Sequence, residues 1–215
     1  MAVTAIVPAY NEEKTIASVI TALKQSPLVK NIIVVSDGSE DETVKEASKF
    51  EGVTIIDILE NRGKGGAVMA GLQRCSDEII LVLDADLIGL TPEHIEDLLS
   101  PVINGEALMS VGLFEKGRAA TDFAQKMAPF LSGQRALKRE LLESISDLDL
   151  SRFGIEVALH RYADENDIEA AEVQLPDLSH VMKEEKLGFG RGVLARAKMY
   201  WEILKYMIRI GNNSR

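Results

Sequence analysis

Two aspartates separated by a single residue, Asp84 and Asp86, are the side chains of this sequence best suited to bind a metal ion. They follow an apolar run at residues 79–83, which predicts a strand covered on both faces. Residues two apart in an extended segment point to the same side, so we expect both carboxylates to face one place. Such a pair repels and loses hydration unless a cation joins it, and oxygen ligands favour Mg²⁺ or Mn²⁺. The alternative is a pair of acids in a solvated turn or at the cap of the next helix.

Polar groups also follow two other predicted strands. Asp37 lies in a Ser-Asp-Gly-Ser turn, where it either binds a ligand or only ends the strand and starts the next helix. The glycine-rich segment at 63–66 contains Lys64 and opens a helix, where free backbone N–H groups suit an anion. Its spacing is not that of a P-loop, and the plainer alternative is a solvated lysine in a turn.

The elements that must position these loops alternate along the first half of the chain. We predict strands at residues 2–8, 31–35, 53–59 and 78–84, and helices at 12–25, 41–50, 64–74 and 92–102. Thr91 and Pro92 suit the cap and first turn of the last of these helices. Strand and helix in repetition indicate an α/β fold with a parallel sheet, whose ligands bind at the carboxyl ends of the strands.

The second half of the chain is less regular. It predicts strands at 107–114 and 168–175 and helices at 119–130, 135–144, 153–165 and 192–210. We divide the chain into one domain at 1–190, with a ligand-binding half at 1–104 and a second half at 105–190, and a basic amphipathic helix at 191–215.

Taken together, four loops resemble those of the family 2 glycosyltransferases. The loops are VPAYNEE at 7–13, VSDGSEDET at 35–43, NRGKGGA at 61–67 and LDADL at 83–87. The resemblance covers residues 3–87 tightly and the remainder loosely. It implies the GT-A fold, a Rossmann-like and mostly parallel sheet flanked by helices. It also implies an enzyme that transfers a hexose from a UDP- or GDP-sugar.

The resemblance assigns the loop residues to parts of a nucleotide-sugar site. Asp84 and Asp86 of the Asp-x-Asp motif hold Mg²⁺ or Mn²⁺ on the diphosphate, and Asp37 accepts a hydrogen bond from the base. A carboxylate accepts equally from uracil or guanine, so the choice between UDP and GDP stays open. The remaining predicted donor-site residues are Pro8, Ala9, Tyr10, Glu12, Ser36, Gly63, Lys64 and Ala85.

Three residues of the second half are candidates for transfer and for the metal. Arg135 lies in a segment that resembles the acceptor pocket of these enzymes, and a guanidinium suits an acceptor phosphate or carboxylate. Glu156 stands near the position of the family's catalytic acidic pair but lacks its acidic neighbour, so it is a general base, an acceptor ligand or a helix-face residue. His180 is a candidate third metal ligand, as in retaining relatives. We expect His94 and His160 to be structural.

The composition limits the classes of protein to which the chain can belong. The 215 residues suit one sizeable domain, and the net charge of −10 argues against general nucleic-acid binding. The single cysteine, Cys75, indicates a reducing, cytoplasmic setting, and neither a signal peptide nor a membrane-spanning run is evident. Residues 191–215, however, carry six basic residues and one acid among apolar side chains. That helix either packs on the domain or on a second subunit of a homodimer, or it contacts the inner face of a membrane.

The first two predicted functions differ in the molecule that accepts the sugar. The leading prediction is a small phosphorylated or hydroxyl-bearing acceptor, and the alternative is a polyprenyl phosphate at the membrane surface. Sugar-phosphate nucleotidyltransferases have a glycine-rich loop with a basic residue after the first strand, where this chain has VPAYNE instead. Phosphotransferases with an Asp-x-Asp nucleophile usually place that motif on the first strand, whereas here it ends the fourth. From another class, the chain would be a nucleotide-sugar-binding protein without turnover.

Overall fold

The computed structural model describes residues 2–114, 132–145 and 155–180. Of His180 it describes the backbone only. Residues up to Ser179 belong to one compact unit, Met1–Ser179, and a second unit comprises His180–Arg215. The helices predicted at 119–130 and 192–210 and the boundary predicted at residue 190 lie outside the described residues. They stay predictions.

The described elements alternate between strands and helices up to residue 82, as predicted for the first half of the chain. The strands are β1 (Val3–Ala9), β2 (Val29–Asp37), β3 (Val53–Ile58), β4 (Ile79–Val82), β5 (Leu87–Ile88), β6 (Met109–Phe114), β7 (Arg135–Lys138), β8 (Ala170–Leu175) and β9 (Ser179–His180). The helices are α1 (Ile16–Gln25), α2 (Thr43–Ala47), α3 (Gly63–Leu72), α4 (Pro92–Ile103), α5 (Arg139–Glu143) and α6 (Ile155–Glu165).

Seven strands form one mostly parallel sheet in the order β3-β2-β1-β4-β7-β6-β8. β1 pairs in parallel with β2 and β4, β2 with β3, and β6 with β8. β7 alone runs antiparallel to both of its neighbours, β4 and β6. β5 and β9 form a separate two-stranded sheet. The predicted fold class, an α/β sheet flanked by helices, is confirmed.

Apolar clusters cover both faces of the sheet. One packs α1 and α4 against the sheet, and the other packs α3 and α6 against its opposite face. Buried β-branched residues of β4 alternate between the clusters, so Ile79 lies in the first and Ile80 in the second. Close approach of α3 depends on Gly71, where a Cβ atom would lie 2.7 Å from Cγ2 of Ile6. Two-sided burial explains why these strands are apolar throughout.

Helix α4 begins as the sequence predicts. The Thr91 hydroxyl accepts a hydrogen bond from the backbone N–H of His94 at 3.3 Å, and Nδ1 of His94 accepts one from the backbone N–H of Thr91 at 3.3 Å. This reciprocal pair satisfies two backbone donors of the first turn, with Pro92 inside it. The buried His94 is therefore structural, as predicted.

Several predicted elements are wrong in part. The helices predicted at 12–25 and 41–50 cover only Ile16–Gln25 and Thr43–Ala47. The sequence predicts one helix over residues 135–144, but Arg135–Lys138 form strand β7 and only Arg139–Glu143 are helical. The reason is that β7 fills the gap between β4 and β6, and pairing on both edges outweighs local helix propensity. The strand assigned to residues 78–84 ends at Val82. Among the described helices, none is long and apolar enough to cross a bilayer.

Candidate functional site

The carboxyl ends of the first three strands lie level at one edge of the sheet. Ala9 of β1 is in register with Ser36 of β2, and Asp37 of β2 is in register with Ile58 of β3. The loops that follow these strands therefore leave the sheet side by side, as the sequence predicts. Pro8 and Ala9 are buried, whereas Tyr10 is half exposed.

Asp37 is held at the end of β2 by the loop that leads to Lys64. Its Oδ1 accepts a hydrogen bond from the backbone N–H of Arg62 at 2.8 Å, and its carbonyl accepts one from Nδ2 of Asn61 at 2.9 Å. The next residue, Gly38, has φ of +75°, and a Cβ atom there would lie 3.0 Å from the backbone nitrogen of Asn61. Asp37 is only 3% exposed. Its carboxylate is thus fixed in direction before any ligand arrives.

The neighbouring predicted residue Ser36 faces a different environment. It is fully buried, and its hydroxyl has no hydrogen-bond partner within the described parts of the chain. A role for Ser36 in ligand binding stays a prediction.

The loops after β1 and β2 are tied together by hydrogen bonds. The backbone N–H of Glu12 donates to Oγ1 of Thr43 at 2.8 Å, and that of Glu13 donates to Oδ2 of Asp41 at 3.0 Å. Oδ1 of Asp41 accepts from the backbone N–H of Thr43 at 3.0 Å and from its hydroxyl. Glu12, a predicted donor-site residue, is therefore positioned by the second loop as well as by its own.

Asp41 gives this pair of loops a pH-dependent stability. Burial alone would raise the pKa of Asp41, but hydrogen bonds from Thr43 and Glu13 outweigh burial and hold that pKa below its ordinary value. Because the folded-state pKa is depressed, the contribution is present above the unfolded-state pKa of about 3.9 and is lost as pH falls through the folded-state value.

We expect Asp41→Asn to lower the free energy of unfolding at neutral pH by about 1 kcal/mol, since it weakens charge-assisted hydrogen bonds. The difference from the unmodified protein should shrink as pH falls below the ordinary carboxylate pKa. Urea unfolding across this pH range measures it, with Asp57→Asn on the exposed side of β3 as the control. A difference that is independent of pH would contradict the assignment.

The decisive feature is a cluster of side chains around Asp84. Nζ of Lys64 forms an ion pair with Oδ1 of Asp84 and a second one, at 2.6 Å, with Oε1 of Glu156. Nε2 of Gln134 donates to Oδ2 of Asp84 at 2.9 Å. The cluster joins the first turn of α3, the loop after β4, the start of β7 and the first turn of α6. Three predicted site residues, Lys64, Asp84 and Glu156, are thus brought together.

The backbone geometry of the Asp-x-Asp motif differs from the prediction. Asp84 lies beyond the end of β4, and Ala85 and Asp86 lie in a turn, so the argument from an extended segment is wrong. Ala85 is buried and Asp86 is partly buried. Within the described residues, no three His, Cys, Asp or Glu side chains form a metal-binding group. The side chain of His180, the predicted third ligand, lies outside the described residues.

Positive and negative side chains alternate from the buried Arg135 through Glu156 and Lys64 to Asp84. Burial lowers the pKa of Arg135 to about 10, and the negative charge of Glu156 acts against that lowering. Burial would also lower the pKa of Lys64, but Asp84 and Glu156 outweigh burial and raise it above its ordinary value. Lys64 therefore stays protonated at any physiological pH. Glu156 interacts with a cation on either side, Arg135 and Lys64.

Arg135 lies deeper than an acceptor ligand was expected to lie. It is 2% exposed, its Nε donates to the carbonyl of Ser132 at 3.1 Å, and its Nη1 lies 3.4 Å from Sδ of Met109. Its predicted contact with an acceptor phosphate or carboxylate stays a prediction. What the structure shows is a buried cation beside Glu156.

Two further residues belong to the cluster and were not predicted. Gln134 is buried and donates to Asp84. Gly133 lies so close that a Cβ atom would be 2.3 Å from both Oδ2 of Asp84 and Nζ of Lys64. The sequence contains a hint, because both residues belong to the segment around Arg135 that resembles the acceptor pocket of the family. A glycine beside polar residues at the entry to a strand is the pattern that marks such a close approach.

Comparison with known proteins identifies the family of this chain. The family model described as Glycosyl transferase family 2 matches residues 4–161. A dolichyl-phosphate beta-glucosyltransferase from Drosophila melanogaster is 38% identical over 104 residues, which are 41% of this chain and 32% of that protein. An undecaprenyl-phosphate 4-deoxy-4-formamido-L-arabinose transferase from Aeromonas hydrophila is 28% identical over 139 residues, 60% of this chain and 42% of that one. The chain thus spans less than half the length of these curated relatives.

A solved structure is similar to this chain over a larger share of both proteins. Glucosyl-3-phosphoglycerate synthase from Mycobacterium tuberculosis, crystallised with Mn²⁺, uridine-diphosphate and glucosyl-3-phosphoglycerate, has a TM-score of 0.69 and 27% identity. The match covers 84% of this chain and 72% of that one. The same enzyme has also been crystallised with Mg²⁺ and uridine-diphosphate.

Proposed function

The chain belongs to glycosyl transferase family 2, and on that premise we propose that it transfers a hexose from a UDP- or GDP-sugar to a phosphorylated or hydroxyl-bearing acceptor, with Mg²⁺ or Mn²⁺. The observation that carries the proposal is the cluster in which Lys64 and Gln134 contact Asp84 and Glu156 pairs with Lys64. These groups lie beyond the carboxyl end of a strand, where open α/β sheets bind their ligands.

The residues present suit a divalent cation. The Asp84 carboxylate already faces a cation, the ammonium group of Lys64, and its donor atoms are oxygens, as Mg²⁺ and Mn²⁺ prefer. We propose Asp84, Asp86 and His180 as the ligands. Bound there with the diphosphate, the ion supplies Lewis-acid stabilisation of the leaving group.

The residues of the chain have separate proposed roles in binding the donor and in transfer. Asp37, fixed by the Arg62 N–H, accepts a hydrogen bond from the base, and Glu12 lies against the base or ribose. Lys64 provides a positive charge for the diphosphate at the first turn of α3, where backbone N–H groups add to it. Glu156 is the candidate general base or acceptor ligand, and in the present geometry its carboxylate holds Lys64.

Equilibrium binding is the direct test of the donor half. We expect UDP or GDP to bind with micromolar affinity in the presence of Mn²⁺ and much more weakly with a chelator. A panel of UDP- and GDP-sugars should show slow metal-dependent hydrolysis of the preferred donor. Folded protein that binds no nucleotide with Mn²⁺ present would overturn the proposal. Tight donor binding with no product from any acceptor would favour the non-catalytic alternative.

Asp37→Asn tests how the base is held. The asparagine oxygen can still accept from the Arg62 N–H, while its amide group opposes the N–H of uracil or guanine. We expect nucleotide affinity to fall by about tenfold or more, since a hydrogen bond to a charged group contributes roughly 1.5–3 kcal/mol.

The matched control for this variant is Asp57→Asn on β3, next to Ser36 in register but exposed. Isothermal titration with UDP and with GDP measures both variants at one Mn²⁺ concentration. An Asp37→Asn protein that binds like the control would remove Asp37 from the base site.

Two acceptor classes remain, and each has a specific observation behind it. The similar solved structure contains the product glucosyl-3-phosphoglycerate, which favours a small phosphorylated acceptor. Relatives named for dolichyl and undecaprenyl phosphate favour a polyprenyl phosphate. Labelled donor offered to 3-phosphoglycerate and, separately, to a polyprenyl phosphate in detergent distinguishes them by product. Deleting residues 199–215 should abolish liposome binding only if the lipid acceptor is correct.

A further inference from the structure

We infer that Lys64 and the metal ion compete for Asp84, so that Lys64 acts as the counter-cation of Asp84 until metal and diphosphate bind together. This inference rests on the proposed function. It adds a positioning role that links the binding of the two ligands. Metal on Asp84 releases Lys64, and diphosphate takes the released ammonium group.

The first argument is the occupation of Asp84. Its Oδ1 is paired with the Lys64 ammonium, and its Oδ2 accepts a hydrogen bond from Gln134. A carboxylate has further lone pairs, so Gln134 can stay when an ion arrives. A dication bound at the same carboxylate, by contrast, strongly repels an ammonium group in contact with it. Binding of the ion therefore requires Lys64 to move.

The second argument is that Lys64 has another anchor. Glu156 contacts the same ammonium group at 2.6 Å, and its side chain is 13% exposed. On leaving Asp84, Lys64 keeps this ion pair and remains at the site. Its own side chain is 25% exposed, so it can reorient towards an anion bound at the strand ends without crossing the core.

The third argument is that the Lys64–Asp84 contact depends on local structure. A Cβ atom at Gly133 would lie 2.3 Å from both groups, so the glycine leaves the room that the pair occupies. Long lysine side chains on a surface form many such pairs by chance, and those contribute little. Here Asp84 also accepts a hydrogen bond from Gln134, and Lys64 is held by two carboxylates.

The consequence is coupling between the two ligands. Metal alone must displace Lys64, and nucleotide alone meets a lysine already neutralised by two carboxylates. When metal ion and nucleotide bind together, the ion takes Asp84 and the diphosphate takes Lys64. Linkage then requires that nucleotide tightens metal binding by the same factor as metal tightens nucleotide binding.

The variant Lys64→Met tests whether Lys64 competes with the metal ion for Asp84. Without nucleotide, we expect Mn²⁺ to bind the variant about tenfold more tightly than the unmodified protein, because the competing cation is gone. With Mn²⁺ saturating, UDP should bind about tenfold more weakly, because the diphosphate has lost its ammonium partner. The factor by which UDP tightens Mn²⁺ binding should therefore fall towards one. Electron paramagnetic resonance of free Mn²⁺ gives the metal affinities, and titration calorimetry gives those for UDP.

Two further variants control for charge and for folding. Arg62→Met removes an exposed positive charge two residues away, and we expect it to change Mn²⁺ affinity much less than Lys64→Met. Lys64→Arg keeps a competing cation, so its Mn²⁺ affinity without nucleotide should stay at or below that of the unmodified protein. If Lys64→Met does not fold, Lys64→Gln with Lys64→Arg provides the same comparison.

The outcomes distinguish this inference from the proposed function. Mn²⁺ affinity that is unchanged or weaker in Lys64→Met, while the unmodified protein binds both Mn²⁺ and UDP, overturns the competition. An equal gain in Arg62→Met also overturns it, since a general field effect would then suffice. Failure of the unmodified protein to bind Mn²⁺ and UDP together counts against the proposed function itself.

Discussion

Asp84→Asn is expected to lower metal-dependent sugar transfer by about a thousandfold. The variant replaces a carboxylate ligand by a neutral amide, and metal assistance contributes several kcal/mol, of which each 1.36 kcal/mol is about tenfold in rate. The loss should appear in donor turnover and in the Mn²⁺ dependence of UDP binding. Steady-state kinetics with the preferred donor and acceptor, over a range of Mn²⁺ concentrations, measure it.

The control for this variant is Asp97→Asn, an exposed aspartate of α4. It makes the same chemical change, and we expect its kinetics to match those of the unmodified protein. Asparagine at position 84 retains an oxygen that can accept from Gln134, so the local hydrogen bonding can persist. If the variant keeps full activity at every Mn²⁺ concentration, Asp84 is not a ligand of the ion.

Gly133→Ala is the second change with a large expected effect. The added methyl group would overlap Oδ2 of Asp84 and Nζ of Lys64, so one or both must move. Displacements of about 1 Å near a reacting centre can cost on the order of a hundredfold in rate. We expect a loss of that size in turnover, with nucleotide affinity reduced as well. Kinetics and UDP titration check it, with thermal unfolding to establish that the variant folds.

Gly105→Ala is the matched control for Gly133→Ala. Gly105 has φ of +73° and open space around its Cβ position, so the change costs about 1–2 kcal/mol of stability through the backbone alone. We expect donor affinity to be unaffected in the control. Equal activity in Gly133→Ala and the control would mean that the close approach of Gly133 does not position the cluster.

Local patterns predicted the first half of the fold well. Apart from β5, which was not predicted, the strands and helices up to α4 lie within a few residues of their predicted positions, and apolar runs such as that of β4 are buried on both faces. This works because helix and strand periodicities and caps such as Thr91 are encoded in neighbouring residues. Parallel strands then align their carboxyl ends, which is why the loops with Asp37 and Asp84 could be assigned to one edge.

The strand β7 could not be predicted from its own residues. Arg135–Lys138 precede a short helix and have the composition of one, yet they pair with Ile79–Val82 on one side and with Met109–Val111 on the other. The partners are distant in sequence, and their hydrogen-bonding edges exist only once the sheet has formed. Because β7 lies next to β4, Gln134 reaches Asp84 from 50 positions away.

The sequence by itself determined which chemistry is available at the strand ends: carboxylates at Asp37, Asp84 and Asp86, and a lysine in a glycine-rich turn at Lys64. Only the tertiary structure decided that Lys64 pairs with Asp84 and, across 92 positions, with Glu156. The physical reason is that α3 and α6 pack on the same face of the sheet, an arrangement that long-range burial selects. The Asp84 carboxylate, our proposed metal ligand, is consequently already paired with a cation of the protein's own, Lys64.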